Sequence, residues 1–336
     1  MEEVYLSRKM DAILEKIDQS RLGSKVAIKV HFGEEGCTTY MKPDIVKSVY
    51  DSVKDGRNAA LVECNVLYKG SRTTTSAHKR LAEKHGFGFA PIDILDGEMG
   101  DKEVSVEIGG TAGTAKLGNG LTEYDSMIVI SHFKGHIATG FGGAIKNLGM
   151  GLGSRSGKLH MHSDVSPSID SARCIGCMAC AEACDQNAIT KVSEKAQLDD
   201  TLCNGCAMCI SVCPTGAVKV PWGGSTNKAL QQKTADYANA AVRTIGAGNI
   251  IYINILHDIT EECDCVGAAQ EPMMDDIGIL LSYDPVAIDK ASLDLVEDAS
   301  KGDFGKINPV NNISQVSYAE GIGLGSTDYR LIRDSE

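Results

Sequence analysis

Cysteine spacing is the plainest chemistry in this chain. CIGCMACAEAC places thiols at Cys174, Cys177, Cys180 and Cys184, and CNGCAMCISVC places them at Cys203, Cys206, Cys209 and Cys213. Both runs read C-x2-C-x2-C-x3-C. Three thiolates on one tight loop grip three corners of a four-iron, four-sulphide cubane, and a fourth cysteine, past a short helical turn, reaches the neighbouring cluster. The expected ligand sets are therefore Cys174, Cys177, Cys180 and Cys213 for one 4Fe–4S cluster, and Cys203, Cys206, Cys209 and Cys184 for the other. A C-x-x-C pair also suits zinc, but two complete four-cysteine runs exceed what zinc needs.

A second stretch, HIATGFGGAIKNLG (136–149), gathers glycines, a histidine and a lysine just after an apolar run. It is not a phosphate loop: Asn147 follows Lys146 where Ser or Thr is required, and glycines at 140, 142, 143 and 149 miss the dinucleotide spacing. Glycine lets backbone approach a ligand at a strand end, so Gly140, Gly142 and Gly143 are candidate cofactor-binding positions. Lys146 offers a cation or a nucleophilic amine, and His132 and His136 are candidates to move protons. The plainer alternative is a tight packing turn with a solvated lysine and structural histidines.

These groups need a scaffold. Apolar runs at 26–30, 59–63, 89–95, 126–131, 249–256 and 277–282 alternate with helical periodicity at 44–56, 76–86, 227–243 and 284–298. The alternation predicts an α/β fold with a mostly parallel, doubly wound sheet covered on both faces. A hairpin is expected over 102–117. Residues 166–222 break the rhythm and carry both cysteine runs. The organisation expected is an α/β domain made of 1–165 and 223–336, with an inserted α+β two-cluster domain over 166–222.

The 336 residues are 43% hydrophobic and 23% charged, as in an ordinary globular protein. A formal charge of −12 argues against nucleic acid and against an anionic membrane surface as partners. No apolar run approaches the roughly 18 residues of a membrane span, and MEEVYLSRKMDAILEK lacks a secretory pattern. A reducing, cytoplasmic setting is expected, where cysteines more often bind metal than pair. Four cysteines remain, Cys37, Cys64, Cys263 and Cys265, each expected just past the C-terminal end of a strand. A third metal site for zinc or iron is one reading of them; buried thiols acting as small hydrophobes is the other.

Residues 166–222 resemble the bacterial two-cluster ferredoxin domain along their whole length, with Asp185 standing where a proline commonly follows the fourth cysteine and Pro214 keeping it. From about residue 24 onward the remainder is similar to the domain of unknown function 362 family, uncharacterised iron–sulphur centre proteins. The likeness runs through KVHFGEEG (29–36), LYKGSRTTT (67–75), SHFKGHIATGFGGAIKNLGMG (131–151), ITEECDC (259–265), DIGILLSYDPVAID (276–289) and GIGLGS (321–326). That family implies no reaction. The 136–146 stretch is also similar to a segment of lactate racemase and its relatives, which use a nickel pincer cofactor. This likeness implies a catalytic His136, a cofactor-holding Lys146 ten residues on, a nickel-ligating His162 sixteen further, and a phosphate contact from Arg72. GFGGA replaces the racemases' usual GFSGG, and those proteins carry no ferredoxin insert.

The reading that follows is an iron–sulphur oxidoreductase passing electrons from two 4Fe–4S clusters to a small anionic substrate or cofactor. His132, His136, Lys146, Cys263 and Cys265 are its catalytic candidates, with Arg72 and His162 beside the ligand. A redox partner such as a ferredoxin would supply the electrons. Two rivals stand beside it: a non-catalytic ferredoxin-type subunit for a partner enzyme, and a racemase-like pincer enzyme.

Overall fold

Strands this rich in Val, Ile and Leu have two apolar faces, and each face needs its own layer of helices. The computed structural model, which describes residues 1–307, 310 and 313–334, builds them into one 8-stranded sheet. Its order is Tyr329–Arg333, Glu2–Ser7, Gly278–Ser282, Ile250–Leu256, Ser126–His132, Lys25–Lys29, Asn58–Glu63, Ile92–Ile94. Every strand in it but Gly278–Ser282 points the same way. The fold is the expected α/β arrangement with a mostly parallel, doubly wound sheet.

Alternation along each strand sorts the two layers. Ala27, Met127, Val129, Ile250 and Tyr252 pack with helices Ala144–Leu152, Asn227–Ile245 and Pro285–Ala299. Val26, Ile28, Ile128, Ile130, Ile251 and Ile253 pack with Met10–Leu14 and Pro43–Val53 on the other side. Ser126–His132 and Ile250–Leu256 are buried at every position.

The structure adds two strands to the central sheet as read from sequence. Glu2–Ser7 and Tyr329–Arg333 pair in parallel at one edge, where polar residues interrupt the apolar ones because much of the strand meets solvent. The 89–95 run shortens to Ile92–Ile94, since Pro91 has no N–H to give a ladder. The 76–86 helix runs as Thr75–Ala82 and then a wider turn, Glu83–Phe87, with Gly86 at φ 93°. The expected hairpin forms from Glu103–Gly109 and Gly113–Gly118. Among the described residues no helix is long and apolar enough to cross a membrane.

The cysteine-bearing segment leaves and rejoins the body at adjacent points, because Ser168–Ile169 pairs antiparallel with Val218–Lys219. Between them lie a hairpin, Ile189–Val192 with Lys195–Leu198, and two short helices, Ala179–Glu182 and Met208–Val212. Its cysteines pack with Ile189, Ile210 and Val218 against Leu67 and Leu159.

Candidate functional site

Open parallel sheets place their ligand sites at the carboxyl ends of the strands. Lys29, Glu63 and His132 are the last residues of three neighbouring strands here, and Glu63 and His132 line a cavity of about 390 Å³. A buried charge is tolerated only when paired. Lys29 accordingly bonds Glu63 at 2.8 Å and the Asn147 side-chain carbonyl at 2.7 Å. The second Glu63 oxygen, Oε2, is buried without a hydrogen-bond partner among the described residues.

Beyond His132 the glycine-rich stretch folds into a tiny hairpin, Lys134–His136 with Gly140–Gly142, and then into helix Ala144–Leu152. Its glycines answer mainly to packing. A Cβ on Gly143 would stand 2.3 Å from Asp289 Oδ1. That carboxylate accepts the first helix N–H groups, from Ala144 at 2.7 Å and Ile145 at 2.9 Å. Burial pushes Asp289 up to about 6. These amides are therefore spent on a side chain and do not cradle a phosphate. Gly142 and Gly143 line the cavity, whereas Gly140, at φ 81°, serves the turn of the small hairpin.

The helix start carries Lys146 over the cavity. Lys146 makes no hydrogen bond or ion pair among the described residues, and its half-buried side chain opens into the cavity. Burial, then the Lys134 ammonium, push its pKa down to about 7. Lys134 is paired: it meets Asp264 at 3.0 Å and donates to the His132 carbonyl at 2.8 Å. Burial alone would raise Asp264, but His132 and Lys134 override it and hold the carboxyl well below the usual carboxylate range.

The histidines divide into two kinds. His132 faces Asp264 through Nδ1 at 3.0 Å and the His257 carbonyl through Nε2 at 2.8 Å, so neither nitrogen is left for a ligand. His136 Nδ1 accepts the Ala138 and Thr139 N–H groups at 3.2 and 3.1 Å, which puts the proton of the neutral ring on Nε2. Burial, then Lys146, hold His136 well below its ordinary pKa. The same two causes push His162 down to about 4. His162 also packs edge-on against Trp222, with ring centroids 4.7 Å apart.

Arg72 lines the same cavity, but four of its five N–H groups are engaged. They meet Glu34 Oε2 at 2.9 Å, the Tyr68 hydroxyl at 2.7 Å and His31 Nε2 at 2.8 Å. The lining cations without an acidic partner among the described residues are Lys146 and Lys158.

Among the described residues the four remaining cysteines do not bring their thiols together, although Cys64 and Cys265 both line the cavity. Cys64 turns into the helix layer, where its thiol donates to the Leu152 carbonyl at 3.5 Å, and Cys37 lies 3.8 Å from the Thr39 hydroxyl. The expected four-cysteine metal rim is thus replaced by a smaller group. His136, Cys263 and Cys265 bring their ligand atoms within 4.8 Å of one another. Cys263 and Cys265 are disulfide-bonded, and His136 Nδ1 is occupied by backbone, so the trio in this state offers a metal little.

The other eight cysteines line two much smaller cavities. Cys174, Cys177, Cys180 and Cys213 line one, and Cys184, Cys203, Cys206 and Cys209 line the other. The two loops repeat one backbone pattern: Gly176 and Met178 lie at φ 69° and 62°, Gly205 and Ala207 at φ 73° and 61°. Left-handed residues at these positions curl each loop so that thiols and amides point inward. N–H groups of Ala217, Ala196 and Ala188 approach the sulfurs of Cys213, Cys174 and Cys184 at 3.2, 3.4 and 3.3 Å. Lys69, next to the cavity-lining Tyr68, donates to the Cys213 and Pro214 carbonyls at 3.0 and 2.6 Å.

Sequence reading passed over Lys29, Glu63, Lys134, Lys158 and Asp264. For Lys29, Glu63 and Lys134 the signal was charge at or just past the ends of Val- and Ile-rich strands, where burial on both faces normally excludes it, whereas Lys158, on helix Arg155–His162, and Asp264, in a loop, carried no such signal.

No functionally curated protein matches the chain. Among solved structures, the lactate racemase apoprotein of Thermoanaerobacterium thermosaccharolyticum is 12% identical, with a TM-score of 0.37, over 76% of this chain and 50% of its own. A protein from Thermotoga maritima is 12% identical, with a TM-score of 0.41, over 87% of this chain and 57% of its own. The chain thus spans a little over half the length of the structures it matches. The family model described as a domain of unknown function, DUF362, matches residues 26–294, and the chain belongs to that family.

Proposed function

We propose that the chain is an iron–sulphur oxidoreductase whose inserted domain, 166–222, holds two 4Fe–4S clusters that feed electrons to a small anionic ligand in the lysine-lined cavity. The observation that carries this reading is the agreement between two four-cysteine cavities and the two ligand sets derived from spacing alone. Four thiols, inward-curling loops and amides aimed at sulfur make a donor set suited to a cubane. Bound there, the clusters supply one-electron transfer.

The cluster of Cys174, Cys177, Cys180 and Cys213 is the one next to the cavity, because Lys69, which follows the cavity-lining Tyr68, bonds the Cys213 and Pro214 carbonyls. The other cluster is left to meet the redox partner, such as a ferredoxin. Lys146 and Lys158 receive the anionic end of the ligand, and Leu67, Met150 and Trp222 receive an apolar body.

The test is metal and sulphide content per chain after anaerobic purification. About eight irons with matching sulphide support two cubanes. Zinc with little iron overturns them. A second reading, the racemase-like pincer enzyme, is favoured by one observation: His136, Lys146, His162 and Arg72 all line one cavity. It requires nickel in the purified protein and added mass on Lys146, and the pairing of Arg72 with Glu34 speaks against its phosphate contact. A non-catalytic subunit would carry full iron and bind no small anion at Lys146.

A further inference from the structure

The Cys263–Cys265 bond does little for the fold. It joins cysteines two residues apart, so it closes almost no chain and scarcely restricts the unfolded state. The other ten cysteines remain free. Asp264, between the bonded pair, is buried and held by His132 and Lys134, which fixes the loop against the cavity. Cys265 is half-buried on the cavity wall, and Cys263 is buried behind it. The Tyr68 hydroxyl lies 3.4 Å from the Cys265 carbonyl, and the next residue, Lys69, bonds the Cys213 carbonyl at 3.0 Å. A covalent and hydrogen-bonded route through Tyr68 and Lys69 therefore joins the cavity of Cys174 and Cys213 to this disulfide.

We infer that Cys263 and Cys265 form a two-electron relay between the clusters and the cavity ligand. The inference rests on the two-cluster reading above. A cubane gives up one electron at a time, whereas a disulfide takes two. The bond receives one electron from each reduced cluster, the S–S bond breaks, two protons enter from solvent through the cavity, and two thiols form. Both clusters return to their oxidised state and are recharged by the external one-electron donor. Re-forming the disulfide hands two electrons and two protons to the ligand. Cys265 is the sulfur that meets the ligand, and Cys263 closes the bond behind it.

The experiment uses anaerobic, cluster-loaded protein titrated with dithionite, quenched with iodoacetamide and mapped by peptide mass. Wild type should take up two more electrons than Cys263→Ser, and Cys265→Ser should show the same shortfall. Both cysteines should become alkylated before the cluster absorption bleaches, because electrons passed on from the clusters collect first on the disulfide, and labelling should be about tenfold slower in Cys213→Ser. Iron and sulphide are assayed on the same samples. Absence of clusters overturns both this inference and the function it rests on. Bleached clusters with an unlabelled pair, equal labelling rates with and without Cys213, or a stoichiometric metal retained by the pair overturn the relay alone.

Discussion

The cysteine segment and the lysine-lined cavity are assembled in opposite ways. In the first, two short repeats each bring three thiols together within one curled loop, and each borrows a fourth from the other repeat. In the second, the pairings that hold the strands together come from distant parts of the chain. Lys29 and Asn147 are 118 residues apart, His132 and Asp264 132 apart, Ala144 and its capping Asp289 145 apart. A site built locally loses one piece at a time. A site built by a sheet depends on a few buried charges that hold several strands together.

The largest effect should separate the two cysteine cavities. Cys213→Ser should lose about half the iron and leave the electron paramagnetic resonance signal that Cys184→Ser removes; the reverse should hold for Cys184→Ser. If Cys213→Ser instead matches Cys203→Ser, the exchange of fourth ligands is wrong. On the cavity side, Asp264→Asn strands Lys134 and His132, and should cost about 3 to 5 kcal/mol in urea unfolding while iron content holds. Loss of iron with it would show that the two regions fold as one.

Gly143→Ala forces a methyl against the Asp289 carboxylate and should cost about 1 to 3 kcal/mol, read from the same unfolding curves. The smallest effect concerns Lys146. Its folded pKa, about 7, lies below the ordinary lysine value, so the ammonium is a burden on the fold below about pH 7, and the burden fades as pH rises above it. Lys146→Met should therefore gain stability at pH 6 and less at pH 9. The same ammonium serves ligand binding: small anions should bind wild type about tenfold better at pH 6 than at pH 9. The variant should bind them weakly at both.

What could be read from sequence follows this division. C-x2-C-x2-C-x3-C is local, so its ligand sets could be drawn before any fold was known. The central strands were equally legible, because burial on both faces leaves unbroken Val and Ile runs. Tyr329–Arg333 at the edge and Glu2–Ser7 beside it were not, since both mix polar and apolar residues as loops do. The cavity was legible only in part. His136 and Lys146 announce themselves beside glycines, but nothing near them names Asp264 or Asp289 as the groups that fix their surroundings. Cys64 shows the limit well: its position at a strand end was foreseen, while the face it would turn to depends on tertiary packing.

The edge-on contact between His162 and Trp222 has a spectroscopic consequence. Trp222 is the single tryptophan of the chain, 55% exposed, at the rim of the cavity, and its ring also lies 6.4 Å from that of Tyr68. Indole emission from this protein therefore originates at one known spot. A molecule settling between Lys146 and the rim changes the solvent around that ring, and its arrival can be followed by intrinsic fluorescence with no dye attached. The chain carries its own occupancy gauge at the door of the site.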